Sequence, residues 1–303
     1  LRQCAEITAR MDTILRGQGM TQGSVAERVQ ALGRDPRQIY PNTDEGKRQL
    51  LSDLGRQIAA MNARLPEAFG RLPKAGVEAR RVPPEIEAGA PGGYYQSPTL
   101  HGSRPGSYYI NLRDTAEWPR FTLPTLTYHE ATPGHHLQGT IALENEAIPL
   151  IRRNTYFPAH GEGWALYAEQ LADEMGMYAD DPFGQVGYLQ SLLFRAARLV
   201  VDSGLHHKRW SREQAIRWMT GTTGDQESSI ATEVERYCVW PAQACSYKVG
   251  HNEWVRLREE AKAKLGPRFD LRAFHDATVG VGAVPLTALA RLVEDWSASV
   301  ARA

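Results

Sequence analysis

Tyr128-His129-Glu130-Ala131-Thr132-Pro133-Gly134-His135-His136-Leu137-Gln138 puts three imidazoles and a carboxylate into eight positions. It follows a run, Leu123 to Thr127, that reads as the start of a buried helix. Imidazole nitrogens are the commonest zinc ligands, and a Glu beside the first His is the usual general base of metal-assisted hydrolysis. A polar loop would account for one incidental His, but His-Glu followed closely by a His pair favours a metal site. In His-Glu-x-x-His the two histidines lie four apart, so one helix face points both rings at one ion. Here the fourth position after His129 is Pro133, and the next histidines come six and seven residues on. On an unbroken helix six residues turn about 240° and rise about 9 Å, while seven rise about 10.5 Å. Zn–N bonds are only about 2.0–2.1 Å, so a regular helix cannot bring either pair to one ion. Pro133 has no N–H for the carbonyl four residues back, and Gly134 tolerates unusual dihedrals. We therefore expect a kink or widened turn at Pro133-Gly134 that swings one of the two histidines, His135 rather than His136, toward His129.

A third ligand is offered by His160-Gly161-Glu162-Gly163-Trp164-Ala165-Leu166-Tyr167-Ala168-Glu169-Gln170. Glu162 sits where a helix would begin, between glycines that allow another backbone to come close. A first-turn Glu that answers the helix dipole is the ordinary alternative. Beside the histidine cluster, Glu162 is the better candidate than Glu169 or Glu174, which read as an outward-facing helix surface.

These two stretches are followed by Arg195-Ala196-Ala197-Arg198-Leu199-Val200-Val201-Asp202-Ser203-Gly204-Leu205-His206 and by Trp240-Pro241-Ala242-Gln243-Ala244-Cys245-Ser246-Tyr247-Lys248-Val249-Gly250. In that order, from about Gln96 to the C-terminus, the chain resembles the bacterial domain-of-unknown-function 885 family. That family is grouped with gluzincin-type zinc metallopeptidases, which are mainly helical. The resemblance implies a mainly α, zincin-like (gluzincin) catalytic domain with a small β-sheet. It implies Zn²⁺ held by His129, His135 and Glu162, with Glu130 as base; the family motif, His-Glu-x-x-Pro-Gly-His, supports His135. Related peptidases steady the oxyanion with a Tyr or His, which makes Tyr247 the candidate and His206 the second. A buried core Tyr is the competing account of Tyr247.

The rest of the chain sets bounds. At 303 residues it can form one large or two modest domains. We read 1–95 as an N-terminal helical segment and Pro/Gly-rich loop, part of the same domain as a catalytic region at 96–303. With 35 basic and 35 acidic residues, neither nucleic acid nor an anionic membrane is indicated as a partner. No apolar run approaches the roughly 20 residues of a membrane span. Cys4, Cys238 and Cys245 form no Cys-x-x-Cys pair. The last two, seven apart on an expected helix, are about 10.5 Å apart along its axis, and all three read as buried thiols. The chain opens at Leu1 where members of the family are commonly longer, so a fragment or trimmed chain is expected. The compartment, bacterial cytoplasm or periplasm, and the oligomeric state are not encoded in these features.

Apolar spacing of three and four predicts helices over Ile7–Leu15, Val25–Leu32 and Gly46–Leu65, walling one side of a cleft. Residues 73–106, rich in Pro and Gly, read as a loop or covering flap. Ser107–Leu112 is the best strand candidate. By analogy with the edge strand of gluzincin sites, it would pair with substrate backbone, with Tyr109 and Asn111 as substrate-binding residues. Phe183–His206 reads as one helix whose Arg198, Asp202 and His206 share a stripe. That stripe is either an ordinary surface ion pair or a cleft-facing set in which Arg198 orders Asp202 and His206 contacts substrate or transition state, with Arg198 counted among the substrate-binding residues. Helices are further expected over Gln226–Cys238, Glu253–Leu265, Leu271–Thr278 and Pro285–Val300. The function expected is that of a zinc hydrolase cleaving peptides or small amides. The alternatives are a helical binding protein with a relic or non-catalytic zinc site, and a zinc amidohydrolase acting on a small non-peptide amide.

Overall fold

The computed structural model describes residues 1–302. Thirteen helices and three strands follow in the order α1 (Arg2–Gly17), α2 (Val25–Gly33), α3 (Asp44–Arg64), β1 (Val77–Arg81), β2 (Gly93–Gln96), β3 (Gly106–Ile110), α4 (Leu123–Glu130), α5 (His135–Glu144), α6 (Leu150–Arg153), α7 (Pro158–Glu174), α8 (Pro182–His206), α9 (Arg212–Thr223), α10 (Glu227–Val239), α11 (Ser246–Leu265), α12 (Leu271–Val279) and α13 (Leu286–Arg302) among the described residues. The protein is therefore mainly helical with a small sheet. The chain forms two compact units, each assembled from three separate stretches.

The first unit comprises Leu1–Leu50, Asp114–Thr125 and Asp173–Lys248. Three of its helices start at a side-chain cap. Ser24 and Glu27 close a capping box on α2, and the Ser211 and Asp181 side chains accept backbone N–H groups of α9 and α8. Ala197, Val201, Ile216, Met219, Ile230, Val234 and Tyr237 from α8, α9 and α10 form one buried cluster. Cys238, one step round α10 from buried Tyr237, is exposed, which corrects its reading as a buried thiol; Cys245 is half-buried and lies beyond the end of α10.

The second unit comprises Leu51–Arg113, Leu126–Ala172 and Val249–Ala303. The Pro/Gly-rich stretch expected to be loop or flap holds both β1 and β2. Their strand order is β1-β3-β2, with β1 parallel and β2 antiparallel to β3. β3 is thus the central strand, hydrogen-bonded on both sides, and not the edge expected of it. Edge strand β1, Val-Glu-Ala-Arg-Arg, is largely charged, and β2, Gly-Tyr-Tyr-Gln, is only four residues long, so neither carries a full strand signal of its own.

An aromatic core lies behind α7. Trp164, Tyr167, Trp254 and Phe69 pack with His275, whose Nε2 accepts from the Tyr167 hydroxyl at 2.8 Å while Nδ1–H donates to Ala68 O at 2.8 Å. Every polar atom of that imidazole is satisfied, as complete burial requires. Helices α7 and α11 touch through bare backbone. A Cβ built on Gly163 would lie 2.5 Å from Gly250 Cα, and one on Gly250 would overlap Ala159 O. Gly163→Ala must push the helices apart, and overpacking of this kind costs about 1–3 kcal/mol. Because the obstructing atoms are backbone, we expect a value at or above the upper end, read as a lowered denaturation midpoint; a midpoint equal to that of the wild type would refute the close contact.

Candidate metal centre

Helix α4 ends at Glu130 and α5 begins at His135, so the helix breaks where Pro133-Gly134 predicts. The turn is widened: the His136 N–H donates to Ala131 O at 3.1 Å, five residues back instead of four. A Cβ on Gly134 would run into the carbonyl oxygens of Tyr128 and His129, so only glycine fits this fold-back. Three side chains hold the turn. Trp164 Nε1–H donates to Pro133 O at 3.0 Å, taking up a carbonyl of the break, and is shared with Gly134 O at 3.3 Å, which also accepts from Gln138 N–H as the first carbonyl of α5. On the α3 side, Thr132 and Thr127 hydroxyls donate to Asn62 and Gln57 at 2.8 and 2.9 Å.

The break brings His129 and His135 to ring centroids 4.8 Å apart, nearly perpendicular. Glu162 on α7 meets both. Its Oε2 is 3.5 Å from His129 Nε2 and 3.3 Å from His135 Nε2, and one donor atom from each residue falls within 4.8 Å of the others. Two atoms bound tetrahedrally to zinc at about 2.0–2.1 Å stand about 3.3–3.4 Å apart. The two carboxylate–imidazole spacings are close to that figure, so the chemistry and spacing of this donor set suit a zinc ion.

Surrounding groups orient the donors. His129 Nδ1–H donates to Glu169 Oε1 at 2.8 Å, which leaves Nε2 to face Glu162 and His135. Glu169 is fully buried, correcting its reading as an outward surface residue. The second oxygen of Glu162 accepts from the Tyr156 hydroxyl at 2.7 Å. Burial works against a charged His129, but the hydrogen bonds to Glu162 and Glu169 and the charges of Glu169 and Glu130 outweigh it and raise its pKa to about 10. Glu162, for its part, would be raised by burial, yet the His135 and His129 charges hold it well below the usual carboxylate range. Glu130 is buried beside this group and its charge acts on His129 and on the Tyr108 phenol.

The neighbouring histidines have other work. His136 Nε2–H donates to Ala75 O at 3.0 Å, and its Nδ1 accepts from the Tyr95 hydroxyl at 3.0 Å, tying α5 to β2 and to the approach to β1. Burial lowers its pKa to about 4, so it stays neutral. His160 is likewise kept neutral by burial, with Gln138 Nε2 3.3 Å from its Nδ1.

The residues expected to bind substrate or transition state are placed differently. Tyr109 stacks on Tyr94 across the β2–β3 ladder at 5.0 Å. Asn111 is buried and spends its amide on Glu87 O and Ala90 O, at 2.7 and 3.2 Å, pinning the preceding loop. Arg198, His206 and Tyr247 belong to the first unit. There Arg198 donates to Tyr237 OH (2.9 Å) and Glu233 Oε2 (2.6 Å), and its guanidinium lies 4.6 Å over the Tyr247 ring. His206 Nε2–H donates to Tyr237 O at 2.9 Å, while Asp202 accepts from Ala242 N–H at 3.0 Å. Arg198 and Asp202 of the stripe are buried and His206 is exposed, and Arg198 pairs with Glu233 in place of the expected Asp202. Two residues of the centre were not singled out from sequence, Glu169 as a partner of His129 and Tyr156. Glu162 and Glu169 are seven apart on one helix, a spacing that puts both on one face.

A family model for bacterial proteins of unknown function, DUF885, matches residues 1–293. Among solved structures, a candidate lipoprotein from Colwellia psychrerythraea is 49% identical over 98% of this chain, with a TM-score of 0.96. A candidate lipoprotein of unknown function from Shewanella oneidensis is 22% identical over 96% of the chain with a TM-score of 0.80, a likeness of fold alone. The chain spans about half the length of these two proteins, 51% and 54% respectively. No curated protein matches it. A match along nearly the whole chain decides its membership: this protein belongs to the bacterial DUF885 family.

Proposed function

We propose that the second unit is a zinc-dependent hydrolase centre acting on peptide bonds. The observation that carries this reading is the donor set itself: two imidazole nitrogens and one carboxylate oxygen at zinc-ligand spacing, the first imidazole backed by a buried carboxylate. A core serving only packing has no need of buried His129 and Glu169 clustered with half-buried His135 and Glu162, because desolvating such charges is costly without a role that retains them.

His129 Nε2, His135 Nε2 and Glu162 Oε2 would hold the ion and leave a fourth position open. Bound there, zinc supplies a Lewis acid and lowers the pKa of a coordinated water. Glu130, next in sequence to a ligand and buried, takes the proton of the attacking water and delivers it to the leaving amine. Glu169 fixes the His129 ring and tautomer through Nδ1. A peptide has two strand edges open to it in this sheet, β1 and β2, and β2 is joined through Tyr95 to the residue after His135. The description of relatives as lipoproteins supports a setting in the cell envelope.

Elemental analysis of the purified protein should find one zinc per chain, and His135→Ala should lose it. His136→Ala should keep the metal but lower the thermal midpoint, since it abandons the Ala75 carbonyl and the Tyr95 hydroxyl. Equal metal loss in both variants would defeat the assignment of His135. Glu130→Gln should retain zinc and lose at least about 10²-fold in turnover of a peptide library, the range of general acid–base catalysis. Zinc bound with no hydrolysis of peptides by the wild type would favour a binding protein, and cleavage confined to small amides would favour an amidohydrolase.

A further inference from the structure

We infer that Tyr156 is a positioning residue of the metal centre: its hydroxyl engages Oε1 of Glu162 and so dedicates Oε2 to the ion. The inference rests on the zinc reading of the site. A carboxylate has two equivalent oxygens, and a Glu ligand can offer one or both. If both bind, the coordination number rises and the position needed by water and substrate is crowded. Here the two oxygens are divided. Oε1 accepts from Tyr156 at 2.7 Å, whereas Oε2 is the atom facing both imidazoles, at 3.5 and 3.3 Å. A hydrogen bond to an ionised carboxylate is among the stronger kinds, which makes it able to fix the group's rotation.

The surrounding sequence makes room for this contact. Tyr156 precedes α7 by two residues and must bring its phenol back over the first turn to reach Glu162. It crosses at Gly161, where a Cβ would lie 2.7 Å from Tyr156 Cε2 and 3.3 Å from Cζ. Gly161 is thus the clearance for the ring, a different role from that of Gly163, which admits α11. The ring is 56% exposed, and it follows the exposed side chains of Leu150 and Ile151 on α6. A tyrosine so exposed adds little to the core; what it holds firmly is one oxygen of a ligand.

Tyr156→Phe removes the hydroxyl and keeps the ring against Gly161. The measurement is competition for Zn²⁺ against a chelator, together with the visible spectrum of the Co²⁺-loaded protein. Loss of such a supporting contact weakens metal binding by about 10- to 100-fold. With Glu162 released to bind through both oxygens, the Co²⁺ absorption should fall in intensity as coordination rises above four. The thermal midpoint of the metal-free variant should equal that of the wild type, separating the effect from folding. Gly161→Ala displaces the ring and should reproduce both changes, and the double variant should bind no more weakly than either single one. Wild-type zinc affinity and Co²⁺ spectrum in Tyr156→Phe would overturn the inference while leaving the metal centre intact. Failure of the wild type to bind zinc would overturn both together.

Discussion

The indole N–H of Trp164 is the contact on which the centre depends. Breaking a helix between His129 and His135 frees carbonyls that have no helical donor, and buried carbonyls without donors are costly. Trp164 takes the Pro133 oxygen with its N–H, which also reaches the Gly134 oxygen that Gln138 N–H already bonds, and it sits two residues after Glu162 on the same helix. One side chain therefore stabilises the bend that assembles the imidazoles and sets the helix carrying the carboxylate against it. The aromatic stack behind Trp164, with Phe69, Tyr167, Trp254 and His275, fixes the indole in turn.

Around this bend neighbouring residues divide labour according to which way a helix turns them. His135 and His136 are adjacent, about 100° apart on α5. One faces His129 and Glu162, and the other is consumed by Ala75 and Tyr95. Glu162 and Glu169, two turns apart on α7, address opposite nitrogens of the same imidazole. The result is a ladder, Glu169 to His129 to Glu162 to Tyr156, in which each polar group is oriented by the next.

The bend and its two histidines were legible in the sequence because Pro and Gly act locally, through a missing donor and a missing Cβ. Most helices were legible for a similar reason: three- and four-residue apolar spacing leaves a trace within one turn. The sheet was readable only at β3, where Ser107-Tyr108-Tyr109-Ile110 concentrates strand-forming residues. β1 and β2 are polar and short, and their pairing is set by partners distant in sequence, which no local window reports. Glu169 was misjudged because a carboxylate on an amphipathic helix normally faces water; what buries it is a histidine forty residues away. The partners of Arg198 were not legible for the same reason, since Glu233 and Tyr237 come from another helix.

The interleaving of the two units has a bearing on the order in which the protein can take shape during synthesis. His129, His135, Glu162 and Glu169 have all been joined to the chain by residue 169, yet Gly250, Trp254 and His275, against which α7 rests, are still to come. Between them lies most of the first unit, from Asp173 to Lys248. The chain must keep α4, α5 and α7 waiting, their polar groups still hydrated, through some eighty further residues before the wall behind them arrives. Long-range closures of this kind slow folding. The contacts that back the histidine–glutamate cluster therefore come from residues made late, although the cluster itself is made midway.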